Sequence, residues 1–433
     1  MDRILRIGIL HYSCPPVVGG VEEVVRQHAF ILHRLGQSVS ILAGMGEVFT
    51  DLFPVRIELL LGSKNPSILK AQKQSINGNH KHIKQLTSKI YQILKDWFHN
   101  FDVILAHNVL HMPFNLPLTL ALRRLAASGN GPAIVSWAHD SPYLQPNYPE
   151  SLEDHPWNVL KRPHPNIHYV TISESRRRMF NELFGDVSWK VIHDGIDPAS
   201  FFYLDPLSIK LAEELDIFSR DLVVVQPSRM TPRKNLELSI HIIRGIRNLG
   251  YNVLFIMTGA YDPHEEKAVS YYRRLKYWIK ELGMQDNIAI LAEYRFRDRK
   301  KLVPDRIFIR DLYLMADLLL MTSKHEGFGL PLIEAGLIKL PIACTEIPPF
   351  LEVGEDVCFF RLDDHPLTIA GRIVEYLARS NTHTMFRSVM RKYVFDVICR
   401  REIMPFLRDI ISEVPSITGQ ETFSDNFSKL AMK

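Results

Sequence analysis

Glu326-Gly-Phe-Gly-Leu-Pro-Leu-Ile-Glu334 follows an apolar run, Leu318 to Met321, that reads as a buried parallel strand ending at Ser323. The glycines punctuate a turn, and Pro331 is placed to open a helix, where its missing N–H is not needed. Strand, glycine turn and helix together aim backbone N–H groups and a helix N-terminus at one point, which suits an anion. The two glutamates are anions themselves, so they are not the anion binders. Carboxylates beside a phosphate cradle accept hydrogen bonds from hydroxyls, and a sugar nucleotide supplies both phosphates and hydroxyls.

The same strand–turn–helix unit recurs outward from this stretch in both directions. In the first half, candidate strands are Ile4–Leu10, Val39–Ala43, Asp102–Ala106, Ala133–Trp137, His168–Ile172 and Lys190–His193. In the second half they are Leu222–Gln226, Val253–Thr258, Asn287–Leu291, Leu318–Met321, Pro341–Thr345 and Val357–Phe360. Such alternation with helical patterns predicts parallel sheets covered on both faces. The first helix places Val21, Val24, Val25, Ala29, Leu32 and Leu35 on one face and stops at Gly36. The turn-rich Asp194-Gly-Ile-Asp-Pro-Ala-Ser-Phe interrupts the alternation, which restarts near Leu222. The expected fold is α/β, two doubly wound Rossmann-like domains facing a central cleft. The expected division is residues 1–197, residues 198–385, a helical segment 386–414, and a mobile tail 415–433.

With 433 residues, two domains of roughly 200 residues each are the starting expectation. The 46% hydrophobic and 23% charged content is that of a globular protein, and a net charge of +4 is too small to argue for nucleic acid. Cys14, Cys344, Cys358 and Cys399 are scattered without a Cys-x-x-Cys pair, as expected for buried hydrophobes in a reducing compartment. The N-terminus enters a strand pattern at once, without a signal-peptide cleavage region, and no apolar run approaches a membrane span. The expectation is a cytoplasmic protein.

Ser228-Arg229-Met-Thr-Pro-Arg233-Lys234-Asn235 directly follows the strand Leu222–Gln226. Arginine offers a bidentate fork to phosphate oxygens and lysine a compact charge, so this loop is a second phosphate candidate. Alone it reads first as a solvated basic loop; the Glu326 turn in the same half reverses that preference in favour of the phosphate. Gly19-Gly20 precedes the first helix, either as a plain tight turn or as a point of close backbone approach to a ligand. It is not a Gly-x-Gly-x-x-Gly fingerprint, which counts against a nicotinamide or flavin enzyme. His139, in Trp137-Ala-His-Asp140, ends a strand, and His107 and His111 follow another. A structural role is the plainer reading of a lone histidine, but the strand-end position turns His139 toward the cleft and puts a ligand-facing role level with it; the same logic applies more weakly to His107 and His111. No Asp-x-Asp and no clustered cysteine set is present, so no cofactor is obligatory and a divalent metal has no evident site. Lys64 to Lys95 carries seven lysines and no acid; it reads as a solvated helix face or as a patch for anionic lipid.

Taken together, the EGFGLPLIEA run, the Arg229…Lys234 pair and the Gly19-Gly20 loop resemble the family 4 retaining glycosyltransferases of GT-B fold, from Ile4 to about Phe360. The resemblance implies that Arg229 and Lys234 hold the donor diphosphate, Glu326 contacts hydroxyls of the transferred sugar, and Glu334 binds the nucleotide ribose. It places Gly327, Phe328, Gly329 and Leu330 along the sugar and phosphate site, His139 against the sugar near the reaction centre, and Gly20 close to the diphosphate or acceptor. It implies that the segment Phe386–Val414 crosses back to the N-domain. Two departures stand out: Ala335-Gly-Leu-Ile-Lys-Leu-Pro341 after Glu334, and Ile347-Pro-Pro-Phe-Leu-Glu352 where a double glycine is usual. Within the family, His107-Asn-Val, Asn115-Leu-Pro, Trp137-Ala-His-Asp140 and Ile347-Pro-Pro-Phe350 are similar to mannosylglucosylglycerate synthases, which use GDP-mannose and a small soluble glucoside.

The implied activity is transfer of a hexose with retention from a nucleotide-diphospho-sugar, GDP-mannose first and a UDP-sugar next, to an acceptor such as glucosylglycerate. His139 and Glu326 are the residues implied at the reacting sugar. Two rivals are a peripheral membrane enzyme with a lipid acceptor, docked by Lys64–Lys95, and a non-catalytic sugar-nucleotide-binding protein.

Overall fold

The computed structural model describes residues 3–129, 131–185, 187–259 and 266–412. The expected tail, 415–433, lies outside them. The chain divides into two compact units, Met1–Asp194 with Cys399–Lys433, and Gly195–Ile398.

Among the described residues the first unit holds seven parallel strands: β1 (Arg6–His11), β2 (Ser38–Ala43), β3 (Val55–Ile57), β4 (Val103–His107), β5 (Ala133–Ala138), β6 (His168–Thr171) and β7 (Trp189–Val191). Their order is β3-β2-β1-β4-β5-β6-β7. The second unit has β8 (Leu222–Gln226), β9 (Val253–Met257), β10 (Ile288–Ile290), β11 (Leu318–Met321), β12 (Ile342–Thr345) and β13 (Cys358–Phe360). Their order is β10-β9-β8-β11-β12-β13, again all parallel. Both sheets are doubly wound, as expected from the alternation of strands and helices. The winding direction reverses between β1 and β4 in one sheet and between β8 and β11 in the other, and the crevice at such a switch point is where ligands bind.

Strand burial shows why the pattern is read as parallel. Every residue of β8 is buried; Val223 and Val225 pack into one core cluster, and Leu222 and Val224 into another. A strand covered on both faces has no polar alternation. The edge strand β3 was not expected from the sequence. It has three residues, none fully buried, and among the described residues pairs only with β2.

The first helix, Gly20–Arg34, buries Val24, Val25, Ala29, Ile31 and Leu32, and also Gln27 and His28. Leu35 caps it and Gly36 follows at φ 78°, the left-handed conformation that glycine tolerates. At the other end of the chain, Asn381–Lys392 and Phe395–Ile398 are helical within the second unit. A wider turn, Cys399–Ile403, leads to the helix Met404–Ser412, both in the first unit.

Candidate functional site

The carboxyl end of β8 and that of β11 meet at the switch point of the second sheet. After β8, Pro232–Lys234 forms one tight turn, and Asn235, at φ 52°, starts the helix Leu236–Asn248. Asparagine is among the few side-chain-bearing residues that adopt this conformation readily. The turn is fastened from below: Thr322, next after β11, donates to the carbonyls of Lys234 and Asn235, at 2.9 and 3.0 Å. Ser239 donates to Gln226 Oε1 at 2.6 Å and lies 2.8 Å from the Thr322 hydroxyl. All of these polar side chains are buried, so the loop is held by a satisfied network that costs little desolvation.

On that support stands a charged cluster. Glu326 accepts from Lys234 Nζ through Oε1, from Ser323 Oγ at 2.6 Å, and from Arg233 Nη1 through Oε2 at 2.9 Å. Lys234 is only 7% exposed. Burial opposes ionisation of Glu326, but the Lys234 and Ser323 hydrogen bonds and the Lys234 charge, with Arg233 adding, hold it below the ordinary carboxylate value. Arg229 is exposed at the edge of the same loop. Of the three cations in the run, Arg233 was not singled out from sequence, because nothing local tells which arginine the turn aims at Glu326.

Gly329, at φ 115°, is the N-cap of the helix Leu330–Leu337, with Pro331 in its first turn. A side chain on Gly329 would approach the ring of buried Phe350 at 3.2 Å, so Ile347-Pro-Pro-Phe350 underlies the turn it follows in sequence. Gly327, Phe328 and Leu330 are exposed along the turn. Glu334 lies on the helix and accepts from Tyr313 Oη at 2.9 Å. Burial, with the Glu334 charge adding, pushes the Tyr313 phenol up, so it remains a donor. The two glutamates that frame the turn therefore have different neighbours, cations for Glu326 and a phenol for Glu334.

The switch point of the first sheet carries a different group. His11 ends β1, His107 ends β4, His139 follows β5, and His28 reaches them from the first helix. His107 Nε2 lies 3.3 Å from His28 Nδ1, and His107 Nδ1 lies 3.2 Å from His139 Nε2. His139 Nδ1 is 3.4 Å from Asp194 Oδ2. His11 Nδ1 donates to the His107 carbonyl at 2.7 Å. Asn108, at φ 55°, accepts from the backbone N–H groups of His139 and Asp140 and so fixes the start of that loop. Burial pushes the His28 imidazole down to about 3 and that of His107 well below the usual histidine range. Both are neutral at ordinary pH.

The neighbouring Gly19-Gly20 turn splits its roles. A side chain on Gly20 would meet nothing within 4 Å, whereas one on Gly19 would strike the Glu22 carboxylate. Glu22 accepts from Ser13 Oγ at 2.5 Å and lies 3.7 Å from His11 Nε2. The neighbouring His11 ring foremost, with the Ser13 hydrogen bond adding, draws its carboxyl down to about 2 despite partial burial. His111 instead enters an aromatic core with Tyr169, Phe180, Phe184 and Trp189.

Comparison with known proteins gives these two sites a common setting. The model of Glycosyltransferase Family 4 matches residues 18–200, and that of Glycosyl transferases group 1 matches residues 209–357. The mannosylglucosylglycerate synthases of Petrotoga mobilis and Thermotoga maritima are 22% and 23% identical over 378 residues, spanning 80% of this chain and 83% and 82% of theirs. The serotype-specific mannosyltransferase WbdA of Escherichia coli is 37% identical over 147 residues, 30% of this chain and 18% of its own. With its first unit matched by one model and its second by the other, the chain belongs to the family 4 glycosyltransferases.

Proposed function

We propose that this glycosyltransferase transfers mannose, with retention, from GDP-mannose to a hydroxyl of a small soluble glucoside such as glucosylglycerate, a UDP-sugar being the next donor to try. The observation that carries the reading is the Arg233–Glu326–Lys234 cluster with Arg229 beside it, at the carboxyl ends of β8 and β11. In the reaction the bond from the sugar to the diphosphate breaks, and negative charge grows on the departing oxygens. Lys234 and Arg229 stabilise that charge, and Glu326 accepts from hydroxyls of the sugar while keeping the two adjoining cations in place. Glu334, steadied by Tyr313, accepts from the ribose. The leaving phosphate oxygen helps to take the acceptor proton, so the reading needs no enzymic nucleophile. Support for mannose comes from the relatives, whose names are those of mannose-transferring enzymes.

The test is transfer by the purified protein from GDP-mannose to glucosylglycerate, with the anomeric configuration of the product read by NMR. Inversion, or activity confined to another donor, sinks the specific reading. A thermal-shift panel of GDP, UDP and ADP precedes it; the right nucleotide at 100 times its Kd adds about 2.7 kcal/mol. Among the described residues no group of three or more His, Cys, Asp or Glu is arranged to hold a metal, and the reading predicts activity in EDTA.

A second reading, a lipid acceptor, has an observation of its own. All seven lysines from Lys64 to Lys95 are exposed on the helices Pro66–Ile76 and Lys81–Phe98 or beside them. Leu69 and Ile76 are exposed on the first of these. No helix among the described residues is long and apolar enough to cross a membrane, so contact would be peripheral. Co-sedimentation with vesicles rich in phosphatidylglycerol at low salt decides it: no binding removes this reading.

A further inference from the structure

The histidines at the switch point of the first sheet form a directed ladder. Buried and neutral, His107 has one N–H and one lone pair, so it donates through one ring nitrogen and accepts through the other. With His139 in its neutral form, two directions satisfy the distances. In one, His28 Nδ1–H donates to His107 Nε2, and His107 Nδ1–H donates to His139 Nε2, leaving His139 Nδ1–H to face Asp194. In the other, every proton moves to the opposite nitrogen, and a lone pair of His139 faces the Asp194 carboxylate at 3.4 Å. The second arrangement sets two acceptors against each other, so Asp194 selects the first.

We propose that His107 is a positioning residue that, with Asp194, locks His139 in its Nδ1–H tautomer with both ring nitrogens engaged. His139 then meets its ligand through the ring edge and its fixed position, and transfers no proton. The packing agrees with a rigid mount. His107 stacks on Trp137 at 5.6 Å and 25°, and His28 packs edge-on to the same indole at 4.7 Å. His107 is fully buried, so it acts on a ligand only through His139. The charged and titratable groups around the ladder are Asp194 at one end and His11, with its Glu22 partner, beside the His107 carbonyl. Burial pushes His28 and His107 away from protonation, which keeps these two rungs of the ladder neutral rings. The functional half of the proposal rests on the reading of His139 as a sugar-contacting residue; the tautomer does not.

Histidine-labelled full-length protein, read by long-range proton–nitrogen NMR, tests the tautomer without any substrate. The expected result is Nδ1–H neutral rings for His28, His107 and His139 at neutral pH. An Nε2–H tautomer at His107 or His139 overturns the proposal. Kinetics test positioning: His107→Phe keeps a ring but loses both bonds, and kcat should fall about 10- to 100-fold with the donor KM within about threefold. His107→Gln, whose amide can still donate to His139, should recover part of that loss. Wild-type kcat in His107→Phe, beside a large loss in His139→Ala, overturns it. Should His107→Phe not fold, Asp194→Asn replaces an obligate acceptor with a group that also donates, and His139 should then show mixed tautomers. A single unchanged tautomer in that variant overturns the role of Asp194. If wild-type protein transfers no sugar, the functional reading fails, and the NMR result still decides the ladder.

Discussion

The two switch points occupy equivalent places in two sheets of the same design, yet they solve opposite electrostatic problems. At β8 and β11, one glutamate gathers a buried lysine and an arginine, and each of these three charges has a partner. At β1, β4 and β5, burial keeps His28 and His107 neutral, and hydrogen bonds pass from ring to ring. A diphosphate needs fixed positive charge, which pairing keeps ionised. A ring held in position needs direction without charge, which burial supplies.

That contrast breaks first at the charged end. Lys234→Ala leaves Glu326 with one cation fewer and should lower kcat by about 100- to 1000-fold while circular dichroism shows the fold intact. Wild-type turnover would remove Lys234 from the site. Glu326→Ala should cost nearly as much, since Lys234 and Arg233 would repel each other without their shared partner.

Acid titration reads the buried histidines of the first unit, at the switch point and in the aromatic core beside it. The unfolded chain takes up protons on its histidines below pH about 6.5, whereas folded His28 and His111 resist until about 3 and 4, because burial lowers both. The folded form thus binds fewer protons in that window. Stability is complete above pH about 6.5 and falls with acid, by up to about 1.4 kcal/mol per pH unit for each group. His111→Phe should flatten the dependence of the urea midpoint on pH between 6 and 4; an unchanged slope would show that the ring is not held neutral. Glu326 and Glu22, both lowered, add a second loss below pH about 4.5.

The smallest effect expected is at Glu334. Tyr313→Phe removes one hydrogen bond to its carboxylate and should raise the donor KM about three- to tenfold with kcat little changed. An equal fall in kcat would instead place Glu334 at the reacting sugar.

Much of this was legible in the chain. Strands buried on both faces, such as Leu222–Gln226 and Leu318–Met321, stand out as short apolar runs ended by turn residues. Strand β3 did not, because a three-residue edge strand buries too little to leave a pattern. Glu326, Lys234 and His139 could be picked out because each follows a strand or lies in a glycine turn. His28 gave no such signal: it lies mid-helix, where a polar residue on the buried side looks like an interruption. Asp194, in a turn-rich linker, looked like spacing.

Periodicity and turn residues act over a few neighbours, so two doubly wound units and the loops that could carry chemistry can be read along the chain. That Arg233 is the arginine that reaches Glu326, and that His28, His107, His139 and Asp194 line up in one chain, follows from the folded arrangement alone. Those partners are 93, 79, 32 and 55 positions apart. Parallel sheets join them because each strand returns by a crossover, so groups distant in the chain end side by side at one edge.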